Sequence, residues 1–267
     1  MNNTSVPAKK RDLFQDSLRQ VSDWTIENAK VIFAVLVVGL AVGAGAALWT
    51  QISLSKEADW QSQYFLIEKK ILDQKQAFDE ARQQEKARAA NPKAAKDMAV
   101  KALPSGDLQK DYGPMVKELS DLIQAAPKTK AGEMAALNLA ELQARYKQPA
   151  EAVATLDKVN TGDRVSDLIG ALVVNMRAGL AADQGDCGKA IGLWEKIARN
   201  GKASFLHDDA RLHMGLCYEK MNEFAKAEQI YNEIAVPAAA GQERDEASVK
   251  EAERSLRLLK LKKTSGS

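Results

Sequence analysis

Nineteen consecutive positions, Val31 to Trp49 (VIFAVLVVGLAVGAGAALW), carry no charged and no strongly polar side chain. A run of that length, at about 1.5 Å of rise per residue, is enough for one helix to cross the hydrocarbon core of a bilayer. Upstream, Phe14, Leu18, Val21 and Trp24 recur at helical spacing within residues 11–29. They predict an amphipathic helix that either lies on the membrane surface or docks a cytoplasmic partner. Downstream, Trp60, Tyr64, Ile67, Ile71 and Phe78 follow a 3-4 spacing, with Gln74 in the gap and Ala81 continuing it. This seam predicts a long helix or stalk over 50–90, facing a coiled-coil mate or the first repeat of the same body; its polar position favours packing within the chain. Pro92, Pro104, Gly106, Gly113 and Pro114 then mark 91–114 as a loop or linker, with a short helix at Lys93–Ala102.

From residue 115 to 262 the pattern becomes one of helical hairpins joined by polar turns. In MGLCYEKMNEFAKAEQIYNEI, a small residue (Gly215), an aromatic (Tyr218), an alanine (Ala227) and a second aromatic (Tyr231) stand at the offsets of the tetratricopeptide repeat. Small residues at the first and third of these positions let two helices cross closely, and large ones fill the space beside them. The preceding unit, 171–204, offers Ala178, Ala181, Ala190 and Trp194 around the turn Gly185-Asp186; the one before it, 133–166, offers Ala140, Gln143, Ala152 and Leu156. Residues 115–127 resemble the second helix of a degenerate earlier repeat, stopped by Pro127. Val249, Ala252, Leu256 and Leu259 give a last helix over 243–262 one apolar face, suited to capping the stack, with 263–267 as a tail. The fold class expected is therefore all-α: one N-terminal transmembrane helix, a long helix, and a tetratricopeptide-like α-solenoid.

Charge distribution sets the expected topology. Residues 1–30 carry Lys9, Lys10, Arg11, Arg19 and Lys30, whereas the stretch just after the span carries Lys56 alone. The basic side stays in the cytoplasm, so residues 50–267 are expected on the extracytoplasmic side, with Trp24 and Trp49 near the interfaces. A cleaved leader with Ala44 and Ala46 at its cleavage site is the competing reading; the 30 residues before the apolar run and the continuing Leu48-Trp49 favour an uncleaved anchor. Basic and acidic residues nearly cancel at +2, which leaves no excess to neutralise a nucleic-acid backbone.

Catalytic chemistry is sparse. His207 and His213, six residues apart, do not share a helical face. No ligand cluster at metal spacing, nucleophile elbow or phosphate-binding glycine loop accompanies them. The expectation is a non-enzyme without cofactors. Cys187 and Cys217 fall at neighbouring ends of adjacent helices in such a solenoid, and admit two readings: a disulfide in an oxidising compartment, or two buried free thiols. Gly39 and Gly43 form GxxxG, extended by Ala47, a small face suited to another membrane helix or to a homodimer through the span.

The inner faces of the first helices in these repeats usually meet extended partners. The corresponding positions are Met134, Leu137 and Glu141; Leu172, Asn175 and Gly179; Asp209, Leu212 and Leu216. Five of the nine are Leu or Met, which points to a groove for unfolded segments or an amphipathic partner helix, or equally to leucines packed between repeats.

A short N-terminus, a single membrane helix (LVVGLAVGAGAALW), loose tetratricopeptide-like repeats and the stretch Leu139-Ala140-Glu141-Leu142 together resemble the YfgM-like ancillary subunit family of the SecYEG translocon. The resemblance implies an inner-membrane protein with a periplasmic body. Such a body would bind translocon subunits or a periplasmic chaperone and assist unfolded clients. A structural scaffold for another envelope complex, in cell-wall synthesis or division, is the alternative.

Overall fold

The computed structural model describes residues 28–90, 102–159, 162–236 and 245–265, and among them every regular element is helical. These are α1 (Ala29–Ala90), α2 (Leu108–Ala125), α3 (Lys130–Arg145), α4 (Pro149–Asp157), α5 (Leu168–Asp183), α6 (Cys187–Ala198), a 3-10 segment (Gly201–Leu206), α7 (His207–Lys220), α8 (Phe224–Ala235) and α9 (Glu246–Ser265). The chain divides into two compact units, residues 1–56 and 57–267.

In the first unit the described backbone is α1, which exposes Val31, Phe33, Val35, Val38, Leu40 and Val42. Among the described residues no helix is long and apolar enough to cross a membrane. Side chains at 29, 32, 36 and 46–49 lie outside the described ones, so the unbroken run is a property of the sequence. The expected amphipathic helix over 11–29 falls mostly outside the described residues, as does nearly all of the short helix at Lys93–Ala102.

The second unit begins inside α1, and of the two mates offered for the seam over 50–90 it is this chain's own body that meets it. Tyr64, Ile67, Ile71, Phe78 and Ala81 are all buried within this chain, and Trp60 packs beside them. Lys70 pairs with Glu118 at 2.7 Å and Phe78 meets Tyr112 edge-on at 5.8 Å, so this part of α1 runs antiparallel to α2. It runs parallel to α3, where the Glu57 carboxylate accepts from the Ala131 amide and the Tyr64 hydroxyl accepts from Asn138. From Glu57 onward α1 thus serves as the first helix of a degenerate hairpin whose second helix is α2.

The loop expected over 91–114 is shorter at its described end, because α2 starts at Leu108. Asp107 caps it, accepting from the Gln109 and Lys110 amides, and Pro114 is tolerated on an exposed face. One turn on, the buried Asp111 carboxylate accepts from the Ser105 and Gly106 amides and from the Tyr146 hydroxyl at 2.7 Å. Burial alone would raise the pKa of this carboxyl, but these hydrogen bonds outweigh it and hold the group below the ordinary carboxylate value. A depressed folded-state pKa contributes stability above the unfolded value, near 4, and that contribution fades as pH falls through the folded value. Asp111→Asn is therefore expected to cost about 1–2 kcal/mol at neutral pH and to flatten the acid limb of a Tm-against-pH profile below about pH 4.

Three further hairpins follow, α3/α4, α5/α6 and α7/α8, each packed on the next, with α9 against α8 and α7. Their turns share one geometry. Lys147, Gly185 and Asn222 have positive φ (60°, 86° and 61°). The next amide in each case, Gln148, Asp186 or Glu223, donates to the carbonyl five residues back, Gln143, Ala181 or Tyr218, at 2.8–2.9 Å. This is the Schellman closure that satisfies the last carbonyls of a helix and reverses the chain. The turn positions stand 38 and 37 residues apart, the same spacing as the fully buried Ala152, Ala190 and Ala227. At the crossing of the last hairpin a Cβ on Gly215 would lie 2.4 Å from the Tyr231 ring, and Tyr231 is fully buried. Ala252 and Leu259 of α9 bury onto this hairpin, with Val249 and Leu256 beside them, and close its open side.

Candidate functional site

Between the second and third hairpins a cavity of about 660 Å³ opens along the inner faces of α5 and α7. Its floor is aromatic: the Trp194 indole lies parallel to the His213 ring, centroids 5.1 Å apart. Asn175 fixes that floor by accepting from Trp194 Nε1 at 2.8 Å, while its amide hydrogen-bonds Asp209. Asp209 in turn pairs with His213 at 3.5 Å, and chiefly that neighbour holds its carboxyl below the usual carboxylate range. Met176, Leu180 and Leu216 supply apolar walls. On the far rim Lys262 of α9 reaches Glu219 at 2.7 Å, and Glu219 also accepts from the Tyr231 hydroxyl at 2.8 Å.

Gly179 is the opening in this wall. It sits mid-helix on α5, lines the cavity, and a Cβ built there would meet nothing within 4 Å. Such a site can accept any part of a ligand that a larger residue would displace. The cavity therefore offers a flat aromatic surface, aliphatic walls and a few fixed polar groups, the composition of a site for an apolar side chain carried on a polypeptide. Among the described residues no group of three or more His, Cys, Asp or Glu is placed to hold a metal.

Of the nine groove positions read from the sequence, Asn175, Gly179 and Leu216 line this cavity. Asp209 stands behind it, through Asn175 and His213. Met134 and Leu137 are half-buried against the core that α1 to α5 share, and Leu212 against that of α8 and α9, so these three pack the protein. Glu141 pairs with Lys75 at 3.3 Å and Arg145 at 2.7 Å, because α1 lies beside α3 and occupies that part of the inner face. Leu172 is half-buried on α5, away from the cavity. Trp194 and His213 were not singled out as groove residues by the sequence pattern. The one signal for His213 is the i,i+4 spacing from Asp209, which puts the two on one helical face.

Cys187 and Cys217 are free and buried. Burial, followed by the adjacent Cys187 sulfur, pushes the Cys217 thiol up to about 12. In the first unit a Cβ at Gly39 or Gly43 would meet nothing of this chain within 4 Å, and the Ala47 side chain lies outside the described ones.

No protein-family model matches the chain, and no curated protein does. Among solved structures, the crystal structure of a tetratricopeptide repeat protein from Parabacteroides merdae is similar to it, at 17% identity and a TM-score of 0.43. The match covers 69% of this chain and 60% of that one, so the chain spans under two thirds of its length. The description of the body as tetratricopeptide-like hairpins rests on the repeated turns and helix crossings above.

Proposed function

We propose that this chain is a membrane-anchored protein–protein interaction module, and that it serves the protein-export machinery as an ancillary chaperone-like or adaptor component. The observation that carries the interaction reading is the cavity beside Gly179, an open site with an aromatic floor and aliphatic walls. In this reading residues 31–49 anchor the chain in the inner membrane, residues 1–30 face the cytoplasm and the body faces the periplasm. Support for the anchor comes from the uncharged run, the basic residues before it, and six large apolar side chains exposed on two opposite faces of α1. A homodimer or a partner helix across Gly39, Gly43 and Ala47 belongs to the same proposal. The export role rests on the resemblance to the YfgM-like family; the partners it names are translocon subunits, a periplasmic chaperone or unfolded clients. The reading assigns no catalytic step and no cofactor.

Gly179→Phe tests it, because a Cβ there meets nothing within 4 Å and the ring it carries would occupy space in the cavity that Gly179 lines. Full-length protein and variant would be purified from native membranes in mild detergent and their co-purifying proteins quantified by mass spectrometry. Translocon subunits are expected with the unmodified protein and at least about ten-fold less with Gly179→Phe, at closely similar Tm. Equal recovery with both forms would overturn the groove reading, and enrichment of a different envelope complex would replace the export role with a scaffold role.

A further inference from the structure

The two cysteines of this chain stand 30 residues apart in sequence and are buried in the same core cluster. Cys187 is the first residue of α6; Cys217 lies one turn before the end of α7. Helices α6 and α7 are antiparallel neighbours across the junction of the second and third hairpins, so the start of one meets the end of the other. Both side chains belong to one core cluster with Ala178, Ala190, Trp194 and Met214, and Cys187 is close enough to add to burial in raising the Cys217 thiol. Each is almost fully buried, at 4% and 2% exposure, so the arrangement is held by packing on every side. Cys217 also lines the groove.

We infer that Cys187 and Cys217 are the site of an intrachain disulfide that staples the second repeat to the third when the protein meets a disulfide oxidant. The exchange balances in two steps. One cysteine, as thiolate, attacks a sulfur of the oxidant's disulfide and forms a mixed disulfide, and the released thiolate takes up the proton. The second cysteine then attacks the protein sulfur of that mixed disulfide, joining the two Sγ atoms and releasing the other half of the oxidant as a thiol. The pair gives up two electrons and two protons, and the oxidant's disulfide takes both. A bridge here closes a 30-residue loop of the unfolded chain and fixes the spacing of the α6 and α7 walls that carry Trp194 and His213. The inference stands apart from the groove's partner, since the chemistry needs only the two thiols and an oxidant.

The test equilibrates the full-length protein in graded mixtures of reduced and oxidised glutathione, quenches with acid, alkylates free thiols and maps the peptides. Expected is a Cys187–Cys217 cross-linked peptide within one chain, two hydrogens lighter than the reduced pair. The oxidised protein should melt about 5 °C or more above the reduced one, reversibly on adding reductant. Cys187→Ala should abolish both the peptide and the redox-dependent shift, and if that variant does not fold, the map and melting of the unmodified protein still decide. Two alkylated thiols at the most oxidising ratio, glutathione adducts alone, or a bridge that lowers Tm would each overturn the inference. Gly179→Phe, which addresses the groove, should bridge normally, so the two proposals fail separately.

Discussion

Gly215→Val is expected to destabilise the body by about 3 kcal/mol, because it drives two methyl groups into the Tyr231 ring. Even a single Cβ there would stand 2.4 Å from Cε1 and 2.8 Å from Cζ. The ring has nowhere to retreat: Tyr231 is fully buried, and its hydroxyl is tied to Glu219 at 2.8 Å. Helix propensity works the other way, since replacing a mid-helix glycine gains less than about 1 kcal/mol, so the clash decides the sign. The repeat supplies a control. The first hairpin solves the same crossing with Ala140 and Leu156, both fully buried. Gly215→Ala combined with Tyr231→Leu should therefore be less damaging than the sum of the two single changes, by about 1 kcal/mol in a denaturant-based double-mutant cycle. Additive losses would mean that the two hairpins are not equivalent at this position.

Trp194→Ala carries the second large effect, a loss of about 3–5 kcal/mol. Trp194 is 2% exposed, occupies the position that Leu156 and Tyr231 hold in the other hairpins, and is the ring under His213. Removing it leaves a cavity beneath the groove and takes away the indole N–H that orients Asn175. Trp194→Phe separates these contributions: it keeps most of the buried ring and deletes the hydrogen bond, so about 1 kcal/mol beyond the change in buried area is expected. Thermal melts of both variants check the prediction. A near-neutral Trp194→Ala would show that the α6–α7 junction is not a packed interior.

How legible this was in the sequence depended on whether each contact was local. Helices and turns were readable because their causes lie within a few residues. The small and large residues of the last hairpin gave its crossing, and Ala152, Ala190 and Ala227 gave the period. The turn at Gly185 was visible for the same reason, while its equivalents at Lys147 and Asn222 were hidden behind residues that adopt positive φ less readily than glycine. The seam from Trp60 to Ala81 announced a partner but not which one. That α1 lies beside α3 depends on pairings such as Glu57 with Ala131 and Lys75 with Glu141, across 74 and 66 residues. For this reason Glu141 reads as a groove residue in the sequence and as part of a packed flank in the fold. The start of α2 was missed because Gly113 and Pro114 signal a break, whereas Asp107 and Asp111 supply hydrogen bonds that carry the helix through them.

The groove itself sits at the limit of such reading. Repeat position alone pointed to Asn175, Gly179 and Leu216, yet the Trp194–His213 stack that forms its floor joins two repeats. No spacing within either repeat predicts a ring-on-ring contact whose geometry is set by how α6 and α7 pack.

The most direct test of the central claim, that the face around Gly179 binds a polypeptide partner, is site-specific photo-crosslinking of the full-length protein in native membranes. A photoreactive residue would replace Gly179 or Leu216 on the groove, with Lys189 and Gln229, exposed on second helices of the repeats, as controls. Discrete adducts from positions 179 and 216, absent from 189 and 229 and lost on competition with a peptide drawn from the cross-linked partner, are the predicted result. Equal labelling at all four positions, or none at 179 and 216, would contradict the claim.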